Sequence, residues 1–137
     1  MDPHLPISPP VERGPRGADL PAYVSNGLVG LRVRENPLAA GVCIVSGFVG
    51  EHHEKRIEAA AAAPYPLGGD IALEGLWAAD QPQSVEPVDQ AYDFSSGELT
   101  TRLAIRLAGR RADVAIVTFA SRTHPTVVCQ EITVEVD

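Results

Sequence analysis

The stretch ELTTRLAIRLAGRRADVAIVTFAS, Glu98 to Ser121, decides the fold class, because apolar and polar residues alternate along it with a period of two. One face of its first half carries Leu99, Thr101, Leu103, Ile105 and Leu107, and the opposite face carries Thr100, Arg102 and Arg106. Side chains of a β-strand point to alternate faces, so this pattern is typical of a half-buried strand. Gly109-Arg110 interrupts the pattern and predicts a hairpin that leads into a second strand from Arg111 to Ser121.

Upstream of this hairpin, the same alternation starts at Leu28. One side of that run holds Val29, Leu31 and Val33, and the other holds Gly30, Arg32 and Arg34. The next run, GVCIVSGFVGE from Gly41 to Glu51, is apolar on both faces and β-branched, which predicts a strand covered on both sides or packed between layers. Asn26-Gly27 and Asn36-Pro37 are typical turn pairs and bound these strands.

Downstream, His124-Pro125 ends the second strand, and TVVCQEITVEVD from Thr126 to Asp137 alternates once more. Its apolar side holds Val128, Ile132, Val134 and Val136, and its polar side holds Glu131, Thr133 and Glu135. Turn-separated strands without amphipathic helices between them predict an all-β, antiparallel β-sandwich. The last strand pattern is still running at Asp137, so we expect this strand either to be internal to its sheet or to belong to a longer protein.

Two segments depart from the strand pattern. In EHHEKRIEAAAAAPYPLGG, Glu51 to Gly69, five consecutive alanines favour a helix, but the segment has no amphipathic stripe and Pro64 stops it. We predict a short helix or an irregular connection there. Five prolines before residue 16 predict a flexible tail over residues 1–19, which leaves a single β-sandwich domain over residues 20–137.

Composition excludes several classes of partner. The 137 residues carry a net charge of −7, which would repel nucleic acid in the absence of a strong local basic patch. No stretch approaches the roughly 20 apolar residues that cross a bilayer, and prolines stand where a signal peptide has its hydrophobic segment. We therefore expect a cytoplasmic protein without a membrane partner. In that compartment, Cys43 and Cys129 are predicted to be buried, reduced thiols, with a disulfide as the alternative.

The catalytic inventory is sparse. His52-His53-Glu54 is the most ligand-like cluster, but adjacent strand residues point to opposite faces and no second group stands at metal-ligand spacing, so we predict a solvated loop. The glycines at 27 and 30 do not complete a phosphate-binding fingerprint. The acidic residues mostly alternate onto polar faces or lie in turns. We therefore predict no catalytic residue, no metal site and no cofactor. A small enzyme that uses His52, His53 or His124 remains the weakest alternative.

Aromatic residues suggest one binding hypothesis. Trp77 and Tyr65 are candidate sugar contacts, because sugars stack on exposed aromatic platforms. Core packing is the competing interpretation and the favoured one, since aromatic side chains contribute large apolar areas to protein cores.

Three segments together carry a resemblance to a known family. These are LPAYVSNGLVGLRV near the start, YDFSSGELTTRLAI from Tyr92 to Ile105, and VTFASRTHPTVVCQEITV from Val117 to Val134. They resemble the N-terminal domain of glycoside hydrolase family 65, which includes trehalose, maltose and kojibiose phosphorylases, acid trehalases and the glucosidase acting on glucosylgalactosyl-hydroxylysine. The family pattern GNGYLGxRG is matched by residues 25–30, LDxRxGxLTR by Asp93 with residues 97–100, and S…HP by Ser121 to Pro125.

The resemblance implies a specific role. In that family a large β-sandwich, the supersandwich, packs against a following (α/α)6 barrel that holds the catalytic glutamate and the site for phosphate or water. This chain resembles the first half of that sandwich. It would be inactive alone, with the barrel as its partner and self-association through uncovered edges. The alternative function is an independent carbohydrate-binding module.

Overall fold

A computed structural model describes residues 22–137 of the chain. The predicted flexible tail over residues 1–19, and the first two residues of the predicted domain, lie outside the described residues. Strands account for the regular structure, with one short 3-10 turn at Pro82–Ser84 and no α-helix within residues 22–137. In chain order the strands are β1 (Ala22–Ser25), β2 (Val29–Val33), β3 (Val42–Glu51), β4 (Glu58–Ala63), β5 (Ala72–Leu73), β6 (Leu76–Trp77), β7 (Val85–Asp93), β8 (Glu98–Leu107), β9 (Arg110–Ala120) and β10 (Val128–Val136).

The strands form two four-stranded antiparallel sheets and one small ribbon. The N-terminal sheet has the order β1-β2-β3-β4, and the C-terminal sheet has the order β10-β9-β8-β7. Strands β5 and β6 pair only with each other. β1 packs against β8 and β9, which brings the two large sheets together. The predicted all-β, antiparallel β-sandwich is confirmed.

The alternation in β8 and β9 produces the core. The inner face of the C-terminal sheet is buried along both central strands, at Leu99, Thr101, Leu103, Ile105, Leu107, Ala112, Val114, Ile116 and Thr118. The predicted apolar face of the first hairpin strand is therefore correct. Removing this apolar surface from water is the main favourable contribution to folding.

Two separate structures cover this inner face. The N-terminal sheet covers the Leu99 end, where Val24, Leu31 and Val33 form a buried cluster with it. Over the other end, Leu38, Leu73 and Ala78 of the connecting segments pack against Leu103, Ile105 and Ile116. The sandwich is thus a sheet pair at one end and a sheet covered by loops at the other.

The prediction that Gly41 to Glu51 is covered on both faces is wrong. In β3 only Cys43 is buried, and Phe48 and Val49 keep about half of their surface in solvent. The pairing of β3 with β4 shifts register between Ile44 and Val49, and such a bulge bends the strand locally. Beyond the bulge the β3–β4 hairpin contributes no residue to either buried cluster.

The alanine-rich segment is also different from its prediction. Residues Glu58–Ala63 form β4, whereas we predicted a short helix or an irregular connection over this segment. Short isolated helices are marginal in water because nucleation is unfavourable. Pairing with β3, at Ala59 opposite Gly50 and Ala63 opposite Cys43, supplies the backbone hydrogen bonds instead. Tertiary pairing here overrides helix propensity.

The turn between β8 and β9 lies one residue earlier than predicted. Leu107 pairs with Arg110, so Ala108 and Gly109 are the two turn residues, with φ of 53° and 74°. Positive φ at both central residues is the type I′ geometry that suits a two-residue hairpin. For alanine this left-handed conformation is strained.

Replacing Ala108 by asparagine should therefore raise the free energy of unfolding by about 1 kcal/mol, because asparagine tolerates the left-handed region better. Urea unfolding followed by circular dichroism measures the change. The matched control is Gly109→Ala, which should lower stability by about 1 kcal/mol. A Cβ at Gly109 would meet nothing within 4 Å, so that loss would report backbone conformation alone. A destabilised Ala108→Asn variant would contradict the assignment.

Candidate functional site

A polar layer divides the buried interior into its two clusters. Gln90 on β7 donates from Nε2 to Thr101 Oγ1 at 3.0 Å and to the carbonyl oxygen of Arg34 at 3.3 Å. Thr101 is fully buried, so its hydroxyl requires such a partner. The contact with Arg34 joins the edge strand β7 to the segment that follows β2 of the N-terminal sheet.

The opposite edge repeats this arrangement. Gln130 on β10 donates from Nε2 to Thr118 Oγ1 at 3.4 Å and to the carbonyl oxygen of Pro37 at 3.3 Å. Thr118 is fully buried as well. Each outer strand thus uses one glutamine to satisfy a buried threonine and to hold the 34–37 segment across the sandwich.

We expect Gln130→Ala to lower the free energy of unfolding by about 1–2 kcal/mol, because it leaves the Thr118 hydroxyl buried with one partner fewer. Combining it with Thr118→Val removes both groups at once, so the double variant should lose less than the sum of the two single losses. Chemical denaturation of the four proteins completes the cycle. Strictly additive losses would show that the 3.4 Å contact contributes nothing.

Asn26 joins the two sheets at the end opposite the 34–37 segment. Its Oδ1 atom accepts from the backbone N–H groups of Leu28 and Val29, both at 3.0 Å, and so closes the β1–β2 turn. Its Nδ2 atom donates to the carbonyl oxygens of Ser121 at 2.7 Å and Pro125 at 2.9 Å, in the connection between β9 and β10. All four side-chain hydrogen bonds available to an amide are thus formed. The sequence indicated only a turn at Asn26-Gly27, and the long-range role was missed.

The other turn at this end lies against the same connection. Arg122 approaches Gly97 so closely that a Cβ on the glycine would lie 3.5 Å from Nη2 of the arginine. Hydrogen bonds from the side chain and backbone of Ser95 lower the pKa of the Asp93 carboxyl. The segments that carry the family resemblance therefore converge at one end of the molecule, where they build turns and the ties between them.

A groove opens beside the second core cluster. It has a volume of about 640 Å³, with Leu103 and Ile105 on its floor and Arg34, Glu35 and Asp70 among its polar residues. Its size falls within the range of small-molecule sites. The Asp70 carboxylate, however, accepts from the backbone N–H groups of its neighbour Ile71 and of Ala79, so it holds the loop together.

The two candidate sugar contacts occupy different environments. Tyr65 is half buried, packs against the cluster between the sheets, and donates its hydroxyl to the Pro37 carbonyl oxygen at 3.1 Å. Burial, with a smaller contribution from Cys43, raises the pKa of this hydroxyl. Trp77 keeps 51% of its surface exposed. Core packing is therefore correct for Tyr65 and wrong for Trp77, and neither residue lines the groove.

The predicted solvated loop around His52-His53-Glu54 is confirmed. It forms the turn between β3 and β4, and the two imidazole rings stack with centroids 5.4 Å apart. Lys55 N donates to Nδ1 of His52 at 3.3 Å. Within the part of the chain that the structure describes, no group of three or more His, Cys, Asp or Glu residues is placed to hold a metal ion.

Both cysteines are free thiols. Cys43 is buried, and burial raises its pKa. Cys129 is only half buried, which corrects the prediction that both would be buried. It lies on the outer face of the C-terminal sheet, opposite Phe119.

The inner face of the C-terminal sheet is uncovered along the second half of β10. Ile132 is opposite the buried Ile116 and Val134 is opposite the buried Val114, yet Ile132, Val134 and Val136 keep 41–49% of their surface exposed. β10 is the edge of its sheet within residues 22–137, and not an internal strand. The described residues also contain no helix long and apolar enough to cross a membrane.

Comparisons of the chain with models of protein families, with curated proteins and with solved structures found no match. The functional argument therefore depends on the geometry described above. Its main feature is an apolar strip, formed by Ile132, Val134 and Val136, that continues the buried inner face into solvent.

Proposed function

We propose that the chain is a non-catalytic β-sandwich portion of a family 65 sugar hydrolase or phosphorylase that acts on α-linked glucosides. Its role is to support an (α/α)6 catalytic domain and to take part in oligomerisation. The observation that carries this proposal is the apolar strip on β10. These three side chains belong to the same face as the core, and a neighbouring structure would bury them as the N-terminal sheet buries Leu99.

The placement of the charged groups fits a supporting role. Arg106 Nη1 lies 2.7 Å from Glu86 Oε2, and Arg102 Nη1 lies 3.3 Å from Asp89 Oδ2, on the exposed face of the β7–β8 pair. A third pair joins Arg111 to Asp113 at 2.7 Å and lowers the pKa of the aspartate. Such exposed pairs contribute little energy and mainly keep the surface solvated.

Self-association in this proposal uses the N-terminal sheet. The edge strand β4 carries Ala59 to Ala63 without an interrupting charge, and the neighbouring hairpin exposes Phe48, Val49 and Ile57. Uncharged edges with small side chains can pair with a second copy. Light scattering should show association that increases with concentration, and a clean monomer at high concentration would contradict this part.

The catalytic part of the proposal is tested by turnover and by the gene. The purified chain should release neither glucose nor glucose 1-phosphate from trehalose, maltose or kojibiose, with or without phosphate. Measurable turnover would overturn the proposal. The reading frame beyond the codon for Asp137 should encode an (α/α)6 barrel, and a stop codon directly after it would overturn the proposal as well.

A second candidate, an independent carbohydrate-binding module, is favoured by one observation. Trp77 lies half exposed on the β5–β6 ribbon next to the exposed Leu76, where a sugar ring could stack on the indole. Titration with disaccharides should change tryptophan fluorescence if this module exists, and Trp77 is the single tryptophan of the chain. Unchanged fluorescence up to millimolar sugar would leave the supporting role as the better proposal.

A further inference from the structure

The free edge of β10 has a defined hydrogen-bonding pattern. Asp137 N donates to Arg111 O, and Ser121 N donates to Val127 O, so odd-numbered residues of this strand form the hydrogen-bonded pairs with β9. Hydrogen-bonded and non-bonded pairs alternate in an antiparallel ladder. The N–H and C=O groups of Ile132, Val134 and Val136 therefore point away from β9. Within residues 22–137 no further strand pairs with them.

The two faces of this edge differ in chemistry. Towards the core, the apolar strip extends the buried inner face. On the outer face, the exposed Glu131 and Glu135 lie four residues apart. Asp113 on β9 lies opposite Glu135 but is paired with Arg111 at 2.7 Å, so the two glutamates supply the negative charge of this face. A strand added to this edge would meet apolar groups on one side and negative charge on the other.

A second copy of the chain is disfavoured at this edge in the register that pairs the most residues. Two copies of β10 would pair antiparallel about a two-fold axis. In the fully overlapping register, centred on Thr133, each Glu131 would lie directly opposite the Glu135 of the other copy. Like charges directly opposite across two strands are destabilising. The charge pattern thus selects a partner of opposite charge.

We propose that β10 binds an extended strand of a partner polypeptide that has apolar residues at alternate positions and Lys or Arg opposite Glu131 and Glu135. Such a strand would extend the sheet to five strands by β-augmentation. Backbone hydrogen bonds to the even-numbered residues would supply affinity, and the apolar strip and the two glutamates would supply specificity. This inference does not depend on the partner being a catalytic barrel.

The chain contains one example of the complementary pattern. β8 has Arg102 and Arg106 four residues apart, with Leu103 and Ile105 on its inner face. Its arginines pair with acidic residues on the adjacent edge strand β7. The same spacing of basic and apolar residues would match the spacing of acidic and apolar residues on β10.

The test uses the whole chain and a capped synthetic peptide, Val-Arg-Val-Thr-Val-Arg-Val, labelled for fluorescence anisotropy. Val134→Pro removes an N–H that faces the free edge and leaves the β9–β10 ladder intact, as proline on an edge strand requires. We expect saturable binding to the native chain and at least tenfold weaker binding to this variant. The matched control is Val88→Pro on the opposite edge strand β7, at an exposed position beside the bulge, which should leave binding unchanged.

Charge reversal tests the choice of partner. The double variant Glu131→Lys, Glu135→Lys should lose affinity for the arginine peptide by at least tenfold and should bind the peptide Val-Glu-Val-Thr-Val-Glu-Val instead. Binding to the native chain should weaken with added salt. Equal affinity of the native chain and Val134→Pro would overturn the proposal. So would affinity that ignores the charge reversal, or a native dimer that Val134→Pro converts to monomer, since that result would identify a second copy as the occupant.

Discussion

Leu99→Ala is expected to lower the free energy of unfolding by about 3–4 kcal/mol, within the range for truncation of a fully buried leucine. Leu99 is the fully buried residue through which the C-terminal sheet joins the cluster of Val24, Leu31 and Val33. Its removal would leave a cavity between two sheets whose backbones are held by their own ladders. Collapse into such a cavity is limited, so both the transfer term and the cavity term apply.

The measurement is thermal and chemical unfolding of the native chain and the variant. A loss of this size should lower the melting temperature by roughly 10 °C for a chain of this length. Leu76→Ala makes the same chemical change at a residue that is 42% exposed, and should cost well under 1 kcal/mol. Equal losses for the two variants would show that the sheets do not pack through Leu99.

The sequence predicted the central hairpin because local pattern and tertiary environment agree there. β8 and β9 have neighbours on both sides, so the alternation of Leu99 to Leu107 translates directly into buried and exposed faces. At the edges this correspondence fails. β10 has the same alternation, yet Ile132 and Val134 are exposed, because periodicity identifies a face but not whether another structure covers it.

Strands with weak local patterns were missed. β7 has no clear strand pattern, since Pro87 interrupts its alternation and a bulge lies between Pro87 and Asp89. β1 is only four residues long and offers too few positions for a period. Both strands exist because the next strand along the chain, β8 for one and β2 for the other, pairs with them and supplies their hydrogen bonds. Local propensity contains no information about such partners.

The residues of the candidate site show the same contrast between what a local pattern predicts and what depends on distant residues. Gln90 and Gln130 were not predicted, because a glutamine that satisfies a buried threonine across two strands has no local signal. The solvated histidine turn was predicted, although its premise that the two side chains point to opposite faces was wrong, because the imidazole rings stack on each other in a turn. Asn26 was predicted in part. Its role in the turn is local and could be predicted, whereas its contacts with residues 121 and 125 are long-range and could not.

Asn26→Asp is expected to lower the free energy of unfolding by about 2–4 kcal/mol at neutral pH. The substitution keeps an acceptor for Leu28 N and Val29 N. It replaces the donor of two hydrogen bonds with an oxygen that faces the carbonyl oxygens of Ser121 and Pro125 at the present 2.7 and 2.9 Å. Two carbonyl oxygens, one on the half-buried Ser121 and one on the exposed Pro125, lose their donor, and a negative charge is added beside them.

The pH dependence of this loss separates the two causes. The two backbone N–H groups that still donate to this side chain at 3.0 Å favour its ionised form, and the two carbonyl oxygens at 2.7 and 2.9 Å disfavour it. The carbonyl contacts are shorter, so we expect the introduced carboxyl to have a pKa above the usual value of about 3.9 in the folded protein. When folding raises the pKa of a group, its protonated form stabilises the folded protein. This stabilisation is complete at a pH below the pKa of the unfolded chain, and it is lost as the pH rises through the pKa of the folded protein. The deficit relative to the native chain should therefore shrink as the pH falls from 7 to about 4, because the protonated carboxyl can donate one of the lost hydrogen bonds. Asn26→Ala has no such group, and its deficit should not change with pH.

Asn36→Asp provides the matched control for this prediction. Asn36 uses Oδ1 to accept from Leu38 N at 3.1 Å, and among the described residues its Nδ2 atom has no hydrogen-bond acceptor. The same change of amide to carboxylate should therefore cost well under 1 kcal/mol there. Urea titrations at a series of pH values, for all four proteins, measure the differences. If Asn26→Asp were no more destabilising than Asn36→Asp, the link from the β1–β2 turn to the β9–β10 connection would contribute nothing to holding the two sheets together.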